Sequence, residues 1–501
     1  LLTTLNRKRD IEHWDAEDVE AWEAGGKNIA RRNLIWSVFA EHVGFSVWSI
    51  WSVMVLFMPT AVFHIDPAGK FFLGAVPTLV GGIMRIPYTV LTAKFGGRNW
   101  TIVSALLLLI PTLLALYFVN QPSTSYTTFL IVAAFAGLGG GNFSSSMSNI
   151  NVFYPQRLKG WALGINAGGG NIGVPVVQLI GLAVIATLGN AYGNASVVCA
   201  VYLVLIAVAA IGAALYMDNV KNQKADLSYM LKALRVPQSW AIAFLYIGTF
   251  GSFIGYSFAF GQVLQISFKA GGASVAAATL HAAQIAFIGP LLGSLARPYG
   301  GKWADRLGGS KVTLYTFTAM TAAAVLVAVA STMGDHAGYP KGGVLVAMIV
   351  GFTALFVISG IGNGAVTKII PSVFEAKSRS LEGDSATRAA WARNTSGALI
   401  GFVGAIGALG GVGINLVLRS SYASTKSATT AFWVFMAFYV VCGLVCWAVF
   451  MRRPSLHSLP AETADADVVV EAEALVLEAE SGVAATVPAS NPAQSSSSAR
   501  A

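Results

Sequence analysis

Arg85, Arg297 and Lys368 are the side chains best placed to do chemistry, because each interrupts a long apolar run. An arginine at depth in hydrocarbon costs at least about 2.5 kcal/mol on insertion scales, so it faces a cavity or a partner. The ordinary partner is a carboxylate on a neighbouring helix. Within the apolar runs the only acid is Glu41, near one end of the first. Three cations against one anion leave a surplus of positive charge that a mobile anion would neutralise. Guanidinium is planar and permanently charged, and its fork of donors matches a planar oxyanion better than a lysine ammonium does. Two such forks suit a small planar anion of the kind that nitrate, nitrite, bicarbonate and carboxylates represent. A purely structural role for the arginines is the competing reading.

The elements that must position these groups follow from composition. Of 501 residues, 55% are hydrophobic and only 11% charged, against about 25% charged in soluble domains, and the mean hydropathy is +0.65. The net charge of +9 does not mark a nucleic-acid binder, since the Lys and Arg residues fall between apolar runs and not on one face of a domain. Those runs have the length a helix needs to cross the bilayer. They predict an all-α membrane protein with twelve spans, at 33–58, 70–93, 100–119, 127–153, 160–188, 196–217, 239–266, 277–301, 311–331, 343–373, 396–417 and 429–450. An even number puts both termini on one side. Of the 32 Lys and Arg residues, five (Lys70, Lys269, Lys341, Arg419 and Lys426) lie on the opposite side and three, Arg85, Arg297 and Lys368, in the interior of spans. The remainder, Arg7, Lys8, Lys221, Lys224, Arg453 and Arg500 among them, lie on the side of the termini, which the positive-inside rule makes cytoplasmic.

The expected organisation is a cytoplasmic segment at 1–32, a six-helix half at 33–217, a polar linker at 218–238, a second six-helix half at 239–450 and a disordered tail at 451–501. The opening segment is too charged for a secretory signal, so the first span would direct insertion. A repeat supports the division. Arg85-Ile-Pro-Tyr88 precedes Phe95-Gly96-Gly97-Arg98, and Arg297-Pro298-Tyr299 precedes Leu307-Gly308-Gly309, with an offset of 212 for both the arginine and the glycine pair. Each arginine is expected to end the second span of its half. Parallel repeats of this kind typify transporters whose site lies near the midplane between the halves, so Arg85 and Arg297 should face each other.

Glycine supplies the second signal. Gly139, Gly140 and Gly141 lead into Asn142-Phe143-Ser144-Ser145-Ser146, and Gly168, Gly169 and Gly170 lead into Asn171-Ile172-Gly173. Small residues let helix backbones approach, and beside a cavity they leave room for an anion. No strand precedes the second run, so its G-x-G-x-x-G spacing does not mark a dinucleotide site. Asn142, Asn149, Asn166 and Asn171 must find partners in hydrocarbon. Cys199, Cys442 and Cys446 lie in apolar runs with no His or carboxylate near in sequence, which makes packing the reading and leaves no metal site.

Gly139 to Pro155 and Gly164 to Gly173 resemble the signatures of the nitrate/nitrite porter family of the major facilitator superfamily. Arg85 with Pro87-Tyr88, Gly251 to Tyr256, and Ala296-Arg297 ahead of Gly301 to Gly309 resemble it too, so the likeness spans all twelve helices. The resemblance implies the major facilitator fold and alternating-access transport of nitrate and nitrite, without a cofactor and without enzymatic activity, by a monomer in the bacterial cytoplasmic membrane. It implies substrate-clamping roles for Arg85 and Arg297, aromatic walls at Phe143 and Phe260, a hydrogen-bond donor at Tyr256 and a polar contact at Asn171. Core packing is the alternative for both phenylalanines. The superfamily's loop motif is complete only at Gly301-Lys302-Trp303-Ala304-Asp305-Arg306. Lys94-Phe95-Gly96-Gly97-Arg98 lacks the Asp, so no charge-relay latch is expected there.

Coupling stays open between nitrate/nitrite exchange and proton-driven uptake. Glu41, His42 and Lys368 are the candidate coupling groups, and Glu41 paired with Arg31 or Arg32 at the helix end is the alternative. Lys368 either faces the cavity or snorkels toward the cytoplasm. A membrane redox enzyme would need haem or metal ligands, and of the six histidines only His42 and His281 fall in spans, with no paired set. Another planar-anion transporter, a channel or a sensor are the remaining alternatives.

Overall fold

In hydrocarbon a lone segment satisfies its backbone only as a helix, and the apolar runs fold accordingly. The computed structural model describes residues 9–220, 227–382 and 384–452. Twelve helices are long and apolar enough to span: α1 (Val19–Phe57), α2 (Pro67–Phe95), α3 (Gly97–Phe118), α4 (Tyr126–Phe153), α5 (Arg157–Leu188), α6 (Tyr192–Tyr216), α7 (Pro237–Ala270), α8 (Val275–Leu307), α9 (Gly309–His336), α10 (Gly342–Ser378), α11 (Thr387–Thr425) and α12 (Thr429–Phe450). At about 1.5 Å per residue even a 22-residue helix covers the hydrocarbon thickness. Asp66, Ser125, Ser274 and Asp384 cap α2, α4, α8 and α11, each accepting a backbone N–H of the first turn.

The repeat is visible in the backbone. Gly96 and Gly308 end α2 and α8 with φ of 88° and 89°, a left-handed turn that glycine makes without a Cβ penalty. α2 packs along α11, and α5 packs along α8. Exchanging the halves turns one seam into the other, so they are related by a pseudo-two-fold axis with α2, α5, α8 and α11 at its centre. On the side opposite the termini the seam is bonded. Gln178 Nε2 donates to the Ser257 carbonyl (2.9 Å), Gln262 Nε2 to that of Pro67 (2.8 Å) and Gln265 Nε2 to that of Leu56 (3.1 Å).

One expectation changes. α2 and α8 each run ten residues beyond their arginines, so neither arginine ends its span; both sit in the helix interior. Lys70 is in the first turn of α2 and only 7% exposed. The linker is ordered in part, with a helix at Leu227–Leu234 and a parallel pairing of β1 (Asp10–Ile11) with β2 (Asn219–Val220). Asp218 is buried because it accepts from Arg32 Nη2 (2.5 Å) and Asn33 Nδ2 (2.8 Å), with Arg9 at 3.7 Å. The opening segment is likewise structured. Trp14 donates to the Val152 carbonyl, and Trp22 packs edge-on against Tyr154. The expected disordered tail from 453 onward, and the basic residues Arg7, Lys8, Lys221, Lys224, Arg453 and Arg500, lie outside the described residues.

Candidate anion-binding site

Close helix approach places the two arginines. On α4, a Cβ at Gly140 would stand 2.6 Å from Gly81 Cα, and one at Gly141 would stand 2.6 Å from the Tyr88 ring, so α4 presses on the arginine-bearing α2. On α10, Gly360 lies against Gly293 and Gly364 against the Arg297 carbonyl and Gly301, so α10 presses on α8 in the same way. Each arginine is followed by a proline, Pro87 or Pro298, which lacks the N–H for the carbonyl four residues earlier.

The guanidiniums converge on shared rings. Arg85 Cζ lies 4.6 Å from the Phe143 centroid, 4.7 Å from Phe250 and 5.5 Å from Trp48, and Arg297 Cζ lies 5.9 Å from Phe143. Phe143 and Phe250 stack at 6.4 Å, and Tyr246 stacks on Phe250 at 5.3 Å. Cation–π attraction holds a desolvated guanidinium by about 2 kcal/mol. Arg85 Nη1 donates to the Gly404 carbonyl (2.8 Å), and Arg297 Nη2 to the Tyr246 hydroxyl (3.2 Å). Arg85 Nε and Nη2 and Arg297 Nη1 are buried without an acceptor, and no carboxylate pairs with either arginine among the described residues. A buried charged donor left unmade costs more than the roughly 1–3 kcal/mol of a neutral one, which a bound anion would relieve.

Further polar groups are buried on α1, α4 and α5. Asn171 is 1% exposed with its amide oxygen unbonded, and Asn142 Oδ1 and Ser144 Oγ beside Phe143 are also unbonded. Glu41 is fully buried. Its Oε2 accepts from Asn166 Nδ2 (2.7 Å), which also bonds Ser146, and its Oε1 has no hydrogen bond. Glu41 forms no ion pair with Arg31 or Arg32. His42 Nδ1 meets the Gly169 carbonyl at 3.2 Å.

Other expected residues stand elsewhere. Phe260 stacks on Phe352 (4.6 Å), and the Tyr256 hydroxyl shares a 2.5 Å hydrogen bond with Tyr439, both in an aromatic cluster of the second half. The ring shared with Arg85 is Phe250, ten residues earlier. Lys368 forms an ion pair with Asp305 (2.8 Å) and is 40% exposed, so it serves the loop motif and is no third buried cation. The second signature mostly packs: Gly169 meets Val38, Gly170 meets Glu41 and Gly173 meets the His42 carbonyl, while Gly168 has open space around it. Cys446 donates weakly to the Ser310 carbonyl, and all three cysteines are buried.

Phe250, Tyr246 and Gly404 were not anticipated. Their signal was the small-residue spacing on α11, Gly401, Gly404, Gly407, Gly410 and Gly411, which marks a face for close approach. Gly407 meets Tyr246, and Gly410 meets Gly251.

Comparison with known proteins agrees with this architecture. The family model described as Major Facilitator Superfamily matches residues 42–405. The chain is 35% identical to the nitrate/nitrite transporter NarU of Salmonella typhimurium, covering 88% of this chain and 96% of that one. It is 30% identical to the probable nitrate/nitrite antiporter NarK2 of Thermus thermophilus, over 88% and 97%. Among solved structures, the nucleoside transporter NupG superposes with a TM-score of 0.57 at 14% identity, over 84% of this chain and all of that one, a likeness of fold alone. The chain belongs to the major facilitator superfamily and, within it, to the nitrate/nitrite porter family.

Proposed function

We propose that this protein carries nitrate and nitrite across the bacterial cytoplasmic membrane by alternating access, with the anion seated between Arg85 and Arg297 and both termini in the cytoplasm. The observation that carries the reading is one buried guanidinium from each half, both against Phe143, both with unbonded N–H groups. Asn171 and Ser144 supply further polar contacts, and each monomer holds a complete site. The names of the NarU and NarK2 relatives support this anion over bicarbonate or a carboxylate. The glutamine bonds across the outer seam fit a state closed toward the outside.

Exchange follows from electrostatics. An empty clamp holds two like charges together, so the loaded carrier turns over more easily than the empty one. The name of the relative NarK2, a probable nitrate/nitrite antiporter, is in line with it. Glu41 supports a second reading, proton-coupled uptake, because its carboxyl is fully buried with one oxygen unbonded. Nitrate uptake into proteoliposomes loaded with nitrite or buffer, with and without an inward proton gradient, separates the two. Uptake that needs internal nitrite and ignores the gradient supports exchange. Uptake into nitrite-free vesicles that follows the gradient, and loses that dependence in Glu41→Gln, supports proton coupling. Absence of nitrate and nitrite flux in every condition sinks both.

A further inference from the structure

The two arginines are tied differently, and the ties leave different donors free. Arg85 gives Nη1 to the Gly404 carbonyl, which leaves Nε and Nη2 buried without an acceptor. Those two nitrogens form the side edge of a guanidinium, whose parallel N–H groups meet two oxygens of a planar oxyanion. Arg297 gives Nη2 to the Tyr246 hydroxyl, and its Nη1 is buried without an acceptor. The hydroxyl thus engages one nitrogen of the side edge on the second arginine. Tyr246 is 1% exposed and held from two directions. Its ring stacks on Phe250 at 5.3 Å with 9° between the planes, and a Cβ at Gly407 would run into it. Between the two rings the chain widens into a π-helical turn, Ile247–Gly251, a form frequent at functional sites. Gly404 and Gly407 are about one turn apart on α11, so a single turn of that helix sets both arginines.

We propose that Tyr246 is a positioning residue that gives the clamp its preference for planar anions with three oxygens over those with two. With Arg297 Nη2 held, Arg85 offers Nε and Nη2 to two oxygens and Arg297 offers Nη1 to the third. Three unbonded nitrogens meet three acceptors. Nitrite has two oxygens and leaves one of those charged donors unmatched, and a buried donor left unmade is what lets a polar site reject an analogue that lacks the partner. Without the hydroxyl, Arg297 turns freely on its long stem, and Nη1 is no longer held for the third oxygen. The inference rests on the anion seat proposed above and adds the residue that makes that seat distinguish the two anions.

Tyr246→Phe keeps the ring stack and removes the hydroxyl. In proteoliposomes of the full chain it should raise the KM for nitrate about fivefold and that for nitrite less than about twofold, with the loss confined to KM and not to kcat. Gly407→Ala pushes the Tyr246 ring aside by a separate route and should give the same selective rise, so it decides the matter should Tyr246→Phe fail to fold. A rise by the same factor for both anions, no rise for either, or a fall in kcat with both KM values kept overturns the proposal. If the wild type moves neither nitrate nor nitrite, the functional reading falls, and the oxygen count is read from thermal shifts in nanodiscs with bicarbonate, which has three oxygens, and formate, which has two. Bicarbonate should then raise the Tm of the wild type more than formate does, and Tyr246→Phe should erase the difference. Equal shifts in the wild type, or a difference that Tyr246→Phe keeps, overturn the inference as well.

Discussion

The two halves share a backbone plan and differ in how they hold what the plan delivers. Arg85 is completely enclosed, faces three aromatic rings and donates to Gly404 of the opposite half. Arg297 is 8% exposed, lies near one shared ring and donates to Tyr246 of its own half. The Arg85 bond must break when α2 and α11 part, whereas the Arg297 bond travels with its half. The bases of the halves differ as well. In the second half Asp305 pairs with Lys368 at the surface. The first half lacks that Asp, and Asp218 and Asn219 take its place: Asn219 accepts from the Asn99 N–H, while Asp218 binds Arg32 and Asn33. Symmetry sets where charges go, and local sequence sets how firmly they are kept.

The largest effect should come at the clamp. Lys keeps the charge but loses the fork and much of the ring contact, so Arg85→Lys should lower nitrate exchange in proteoliposomes about 100-fold, close to 2.7 kcal/mol. Arg297→Lys should fall less, since one ring and an own-half bond are at stake; equal losses would erase the asymmetry. Next, Gly364→Ala places a methyl against the Arg297 carbonyl and should destabilise by about 1–3 kcal/mol, read as a lower Tm, while Gly168→Ala, with open space around it, should stay within about 0.5 kcal/mol.

The basal latches give a smaller contrast. Asp218→Asn removes charge-assisted bonds at a mostly buried carboxylate and should cost about 2 kcal/mol, whereas Asp305→Asn breaks an exposed pair worth less than about 1 kcal/mol. Thermal unfolding of both variants checks the order. The smallest effect concerns Asp384, whose bonds from the Thr387 side chain and N–H hold its carboxyl below the ordinary 3.8. A depressed folded value means the cap is fully effective above pH 3.8 and is lost as pH falls through the lower folded value. Amide exchange in the first turn of α11 should therefore speed up only in that acid window, and Asp384→Asn should remove the dependence.

Much of this was legible in residues 70 to 93 and 277 to 301 alone. Length and hydropathy specify a spanning helix because the bilayer leaves the backbone no other choice, and the 212-residue offset pairs Arg85 with Arg297. Phe143 stacks on Phe250, and Asn171 keeps an unbonded amide oxygen. Phe260 and Tyr256 do not meet the arginines, because α7 turns that face toward Phe352, Phe356 and Tyr439. Of the two placements open to Lys368, the structure has the one away from the cavity, because α8 runs past Arg297 far enough to bring Asp305 within reach of it.

The chain by itself determined that there are twelve helices, that they fall into two repeated halves and that positive charge is in excess within them. These follow from free energies of single segments in lipid, which depend on local composition. Tertiary structure decided which ring each guanidinium faces, that Glu41 bonds Asn166 and not the basic helix end, and that Phe260 and Tyr256 pack among aromatic rings of the second half. Those outcomes depend on helix rotation and depth, set by where glycine backbones meet glycine backbones between segments hundreds of residues apart.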